Sequence, residues 1–149
     1  MLKLYVDADA CPVKDEAIQV ASRHKMEVFM VSNGGVRPSR DPMVHSIIVE
    51  HAFDAADNWI VEHVEADDVV VTADILLAQR CLHNGATAIN PNGKLFTANN
   101  IGSAVAMRAL HSQLRETGEI SNYNPSFSKQ DRSHFLQSLE NAIQKIKHS

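Results

Sequence analysis

The stretch Val6-Asp7-Ala8-Asp9-Ala10-Cys11-Pro12 decides how this chain is read. The preceding run, Leu2-Lys3-Leu4-Tyr5, is apolar enough for a strand, and it leads through Val6 into two carboxylates and a proline. Proline suits the first position of a helix, where its missing N–H would have no partner. The stretch therefore reads as strand, connection and helix. In an open α/β sheet, ligands bind beyond the carboxyl ends of the strands, so Asp7 and Asp9 fall where a site is expected.

The same order recurs along the chain. Val13, Ala17, Val20, Ala21 and His24 follow helical spacing, and residues 26–31 give a second strand. Ser32-Asn33-Gly34-Gly35 ends that strand with residues that tolerate positive φ, and a loop with Pro38 and Pro42 follows. Residues 44–49 read as a third strand, and Asp54-Ala55-Ala56-Asp57 opens a helix with Ile60, Val61 and Val64 on its apolar face. Residues 68–72, Asp-Val-Val-Val-Thr, are the most β-branched run and predict a central buried strand. Asp74 follows at once. A helix from Ile75 to about His83 stops at Asn84-Gly85, and a strand over 86–89 ends at Asn90-Pro91-Asn92-Gly93. Helices over about 99–115 and 128–147 complete the chain. The second pairs Ser128 with Asp131 as a cap and lines up Phe135, Leu136, Leu139, Ile143 and Ile146.

Alternating strands and helices imply right-handed crossovers and a three-layer α/β/α sandwich with a mostly parallel central sheet. With 149 residues, 44% of them hydrophobic, the expectation is one domain over 1–149, the last helix packing on it as an extension. No run approaches the roughly 18 apolar residues of a membrane span, and no targeting pattern opens the chain, so a cytoplasmic protein without membrane contact is expected. Cys11 and Cys81 are too few for a disulfide framework, and reduced thiols are the default. Cys11 stands near a helix start, a position that lowers a thiol pKa, but no partner base accompanies it.

Net charge is −4, which argues against a protein that coats nucleic acid non-specifically. The charge is uneven: residues 1–100 carry 14 acidic against 8 basic side chains, residues 101–149 carry 4 against 6. The acidic excess thus lies where the strand ends are. A parallel sheet gathers at one edge Asp7 and Asp9, Ser32 and Asn33, Asp54 and Asp57, Thr72 and Asp74, and Asn90. Carboxylates in one crevice raise each other's pKa unless a cation neutralises them. Oxygen ligands without a cysteine or histidine pair select Mg²⁺ or Mn²⁺ over zinc. Such an ion activates water and stabilises charge on a phosphodiester, which makes phosphate-ester hydrolysis the natural reaction class. Acids at helix starts are also commonly caps, the blander role for Asp54 above all. Asp67 and Asp68 precede a strand at the opposite edge and read as solvated. His51 and Trp59 read as surface or packing residues. Arg37, Arg40, Arg108, Arg115, Lys129 and Arg132 are the available phosphate contacts.

Val6 to Val13, the Ser32-Asn33 strand end, Phe53-Asp54-Ala55-Ala56-Asp57, Thr72-Ala73-Asp74-Ile75-Leu76-Leu77-Ala78, Asn90-Pro91-Asn92-Gly93 and the Asp131 to Phe135 segment together resemble the YaiI/YqxD family of bacterial proteins. The resemblance runs through nearly the whole chain. That family is uncharacterised and is in turn similar to PIN-like domains, metal-dependent nucleases with acids at the ends of a parallel sheet. This second resemblance implies a nuclease in which Asp7, Asp57 and Asp74 hold Mg²⁺ or Mn²⁺. Asp9 is then a further ligand or a water-orienting base, and Ser32, Asn33, Thr72, Arg37 and Arg108 meet the substrate. RNA or single-stranded nucleic acid is the implied partner. Two other functions compete. Asp7-x-Asp9 with Ser32-Asn33 also suits a haloacid-dehalogenase-like phosphatase with Asp7 as nucleophile, for which Lys94 is the one candidate lysine. A non-catalytic nucleic-acid-binding or regulatory module that keeps the acidic pocket fits the low basic content. The sequence leaves the oligomeric state open, a dimer included.

Overall fold

The computed structural model describes residues 2–9, 11–34, 40–50, 55–117 and 127–148, with backbone only at 104, 108, 109 and 111–117. Among them are six strands and five helices: β1 (Lys3–Asp7), α1 (Lys14–Arg23), β2 (Glu27–Ser32), β3 (Val44–Ile48), α2 (Ala55–His63), β4 (Val69–Val71), α3 (Ile75–His83), β5 (Thr87–Ile89), β6 (Leu95–Phe96), α4 (Ala98–Thr117) and α5 (Lys129–Lys147). The strands form one sheet in the order β3-β2-β1-β4-β5-β6. Every pairing is parallel except β5 with β6. The expected three-layer sandwich is what forms, with β6 an antiparallel edge that two residues of strand could not announce.

Strand alternation sets the two cores. Leu4, Val6, Val28, Met30, Val69 and Val71 point to one face and meet Val20 of α1 and Phe135, Leu139 and Ile143 of α5. Tyr5, Val31 and Val70 point to the other and meet Ile60 of α2 and Leu77 and Cys81 of α3. A smaller cluster of Ala78, Ala88, Phe96 and Ile101 seats α4 beside α3. Leu4, Val6, Val70, Val71 and Phe135 are fully buried, and burying each such side chain contributes about 1.5–3 kcal/mol.

The helix ends are set by local chemistry. Ser128 Oγ accepts the Asp131 N–H, and Asp131 returns the bond to the Ser128 N–H, each at 3.0 Å, the capping box expected from sequence. The first helix begins at Lys14 rather than at Pro12, with Val13 as its cap and no side chain in that role. Residues 12–13 form a turn first, because Val13 is drawn fully into the core. Arg132 of α5 braces this entry, donating to the Pro12 carbonyl at 2.7 Å and pairing with Glu16 at 3.1 Å. Its guanidinium lies over Phe127, 5.0 Å from the ring centre. Arg132 is therefore a strut between helices rather than a free phosphate contact.

Asp68 corrects another expectation. It is 3% exposed, not solvated. Its carboxylate accepts the N–H groups of Lys3 at 3.2 Å and Glu65 at 2.9 Å, tying the starts of β1 and β4 together. Asp67 is exposed as expected, in the left-handed conformation (φ 72°). Trp59 belongs to an aromatic cluster, stacked on His63 at 3.8 Å and tilted against Tyr5 and Phe29 at 6.1 Å. Among the described residues, no helix is long and apolar enough to cross a membrane.

Candidate functional site

From β1 the chain moves to β2 and β3 on one side, then crosses over to β4 on the other. The crevice between the carboxyl ends of β1 and β4 is therefore the topological switch point, where open α/β sheets bind ligands. Asp7 ends β1 and Thr72 follows β4. Parallel register carries Val6 beside Val71, which brings the next residues together. Thr72 is 1% exposed and donates its hydroxyl to Asp7 Oδ2 at 2.9 Å. Thr72 Oγ1 in turn accepts the Asp74 N–H at 2.9 Å. The chain of donors thus runs one way, from Asp74 N–H through the Thr72 hydroxyl to the Asp7 carboxylate.

Asp74 caps α3, its Oδ1 accepting the N–H groups of Leu76 at 2.9 Å and Leu77 at 3.2 Å. Asp9 is exposed and its Oδ2 accepts the Asn33 N–H at 3.1 Å, which fastens the end of β2 to the connection after β1. Ser32, 2% exposed, turns its hydroxyl back to accept the Gly34 N–H at 3.2 Å. Asp7, Asp9 and Asp74 therefore share one design. Each commits one oxygen to a fixed donor, and the other takes no hydrogen bond from the described residues.

Burial holds the Asp7 carboxyl above its ordinary pKa. The Thr72 hydrogen bond opposes this, while the charges of Asp74 and Asp9 add to it. Asp57 lies half-buried in the first turn of α2. Its charge and that of Asp7 both reach the buried Cys81 thiol, whose pKa is pushed up to about 12, chiefly by desolvation. Burial likewise raises the Cys11 thiol. Burial prevails there over proximity to the α1 start, and Cys11 is a member of the first core.

Asp7, Asp9, Asn33, Ser32, Thr72 and Asp74 are thus brought to one edge of the sheet. Arg37, His51 and Asp54 lie outside the described residues, as does the Arg108 side chain. Asn90 uses its side chain within its own turn, accepting the Asn92 N–H at 2.9 Å. Among the described residues, no three His, Cys, Asp or Glu side chains gather closely enough to hold one ion. The donor set nevertheless suits a hard cation such as Mg²⁺, which takes one or two carboxylates and completes its shell with water and substrate oxygens. Asn33 Oδ1 is buried and has no hydrogen-bond partner among the described residues. The part that sequence reasoning missed is how the acids are fixed. The Thr72-x-Asp74 spacing was its one signal, since a hydroxyl two residues before a cap can accept the cap's own N–H.

Fold and site together define an α/β protein of doubly wound parallel type with a carboxylate-lined crevice at its switch point. The family model described as "Uncharacterized BCR, YaiI/YqxD family" matches residues 5–145, and the chain belongs to that family. It is 57% identical over 144 residues to a UPF0178 protein of Rhizobium etli, covering 97% of this chain and 93% of that one. A UPF0178 protein of Agrobacterium fabrum is 53% identical, with coverage of 97% and 95%. One from Parvibaculum lavamentivorans is 51% identical, with coverage of 99% and 97%. No solved structure gives a significant match.

Proposed function

We propose that this chain is a cytoplasmic, divalent-metal-dependent phosphodiesterase of PIN-like type that cuts nucleic acid, with RNA the preferred substrate. The observation that carries the reading is the half-buried Asp7 carboxylate, held by Thr72 at the switch point and flanked by the charges of Asp74 and Asp9. Three acids so placed are adverse unless a cation joins them. Asp7, Asp57 and Asp74 would be the protein's share of a Mg²⁺ or Mn²⁺ site in which water and substrate oxygens complete the shell, since the described carboxylates do not gather closely enough to hold the ion alone. Bound there, such an ion would supply a lowered pKa for a coordinated water and a counter-charge for the phosphate.

The chain's own residues supply orientation and the proton path. Thr72 and the Leu76 and Leu77 N–H groups fix Asp7 and Asp74 and leave each a second oxygen that takes no hydrogen bond from the described residues. Asp9, tethered by Asn33, is solvent-exposed and orients the attacking water, taking its proton as the oxygen–phosphorus bond forms. The bond from phosphorus to the leaving ribose oxygen breaks, and that oxygen leaves with a proton from solvent. Ser32 and Thr72 are too buried to meet a substrate directly and act by holding the loop and the acid.

End-labelled single-stranded RNA and DNA incubated with Mg²⁺, Mn²⁺ or chelator test this reading. It requires cleavage that depends on the metal and is lost in Asp7→Asn and Asp74→Asn. Cleavage that survives chelation or either substitution contradicts it. A second reading, a nucleic-acid-binding module without turnover, is favoured by the lack of three close carboxylates among the described residues. RNA binding without cleavage under both metals would select it.

A further inference from the structure

We propose that the apolar cavity between β5, β6 and the C-terminal half of α5 binds a small apolar monocarboxylate, with Lys145 as the partner of its head group. The cavity lies where β5 begins, at Thr87, on the opposite edge of the sheet from the strand-end acids. It therefore stands or falls apart from the metal-dependent reading.

The cavity measures about 360 Å³, within the roughly 300–1,000 Å³ of small-molecule sites. Its apolar walls come from three elements: Leu82 of α3, Leu95 and Phe96 of β6, and Ile146 of α5. Ala86 and Ala142 also line it, 5% and 7% exposed, and side chains this short leave the space between β5 and α5 unfilled. Leu95, by contrast, stays 38% exposed at the sheet edge. Apolar surface is thus left in water in a concave place, and an apolar ligand of matching size removes it from water favourably.

The polar groups select the head of that ligand. Lys145 is the one charged residue among the described lining, and it is exposed and forms no ion pair with a described side chain. Thr87 and Thr97 add hydroxyls that can donate to an anion. An ammonium is a compact point charge, and beside apolar walls its attraction for an anion is screened less than in open water. One cation matches one negative charge. A neutral ligand leaves Lys145 unused, and a dianion such as a phosphate monoester finds only half its counter-charge there, so a carboxylate on an apolar body is the class that fits.

Calorimetric titration of the full chain with octanoate and with octanol, beside Lys145→Glu and Ala142→Leu, tests the assignment. Wild type is expected to bind octanoate saturably and octanol at least about 10-fold more weakly. Lys145→Glu should weaken octanoate binding about 10- to 100-fold and leave octanol unchanged. Ala142→Leu, with its fold checked by circular dichroism, should lose both ligands because the added side chain occupies their space. A wild type that binds no octanoate overturns the proposal, as do equal affinities for the two ligands. Lys145→Glu or Ala142→Leu binding octanoate like wild type overturns it too. A ligand-free dimer in sedimentation that Leu95→Glu dissolves gives this face to a second copy of the chain and also overturns it.

Discussion

The Thr72 hydroxyl lies 2.9 Å from Asp7 Oδ2 and links the ends of two neighbouring parallel strands that are 65 residues apart in sequence. Thr72→Val keeps the shape but removes both the donor to Asp7 and the acceptor for the Asp74 N–H. The loss should cost about 1–3 kcal/mol, raise the Asp7 pKa further, and lower metal affinity about 10- to 100-fold. Thr72→Ser should restore most of each. Carboxyl titration by NMR and chemical denaturation of the two variants check this.

Asp7 also predicts a stability effect with a definite sign. Its folded pKa lies above the ordinary 3.8, so the folded state binds this proton more tightly than the unfolded chain. That contribution is fully present below pH 3.8 and is lost as pH rises through the folded value. Asp7→Asn, which keeps an acceptor for Thr72, should therefore raise the metal-free Tm at pH 7. The gap between variant and wild type should close as pH falls toward 3.8, which thermal scans at several pH values will show.

The α1–α5 contact behaves oppositely. Glu140 accepts bonds from Gln144 at 2.8 Å and from His24 at 2.7 Å, with Arg23 at 3.5 Å. The Gln144 bond, then the His24 bond and the charges of His24 and Arg23, hold its carboxyl below the ordinary 4.5. Its contribution is present above pH 4.5 and lost as pH falls through the folded value. Glu140→Gln should lower stability at pH 7 by no more than about 1 kcal/mol, and by nothing in strong acid.

Gly93 closes the turn between β5 and β6 in the left-handed region, with φ 95°. A Cβ there would stand 2.6 Å from the His134 ring and 2.8 Å from its backbone. Gly93→Ala therefore combines strain at a positive φ with overpacking and should cost about 1–3 kcal/mol. Urea denaturation measures it, and the strand-end site, formed by other loops, should keep its metal affinity.

The fold was legible wherever pattern and chemistry agreed. Val69–Val71 is buried on both faces as its β-branched run implies, and Ser128 with Asp131 forms the capping box its spacing announces. What stayed hidden depends on contacts distant in sequence. Asp68 reads as a solvated acid beside Asp67, but the Lys3 N–H, 65 residues away, draws it inside. Pro12 reads as the first helical residue, but burial of Val13 delays the helix to Lys14. At the site, the acids were visible as residues at strand ends, because position alone reveals them. The Asp9–Asn33 clamp was not, since a main-chain donor leaves no mark in the sequence.

The central claim is that the carboxylates at the β1–β4 switch point hold a divalent cation. Calorimetric titration of the metal-free protein with Mn²⁺, beside Asp7→Asn, tests it without a substrate having to be guessed. The account predicts saturable binding by the wild type that is lost or at least about 100-fold weaker in the variant. Equal binding by both proteins, or none by the wild type, would contradict it.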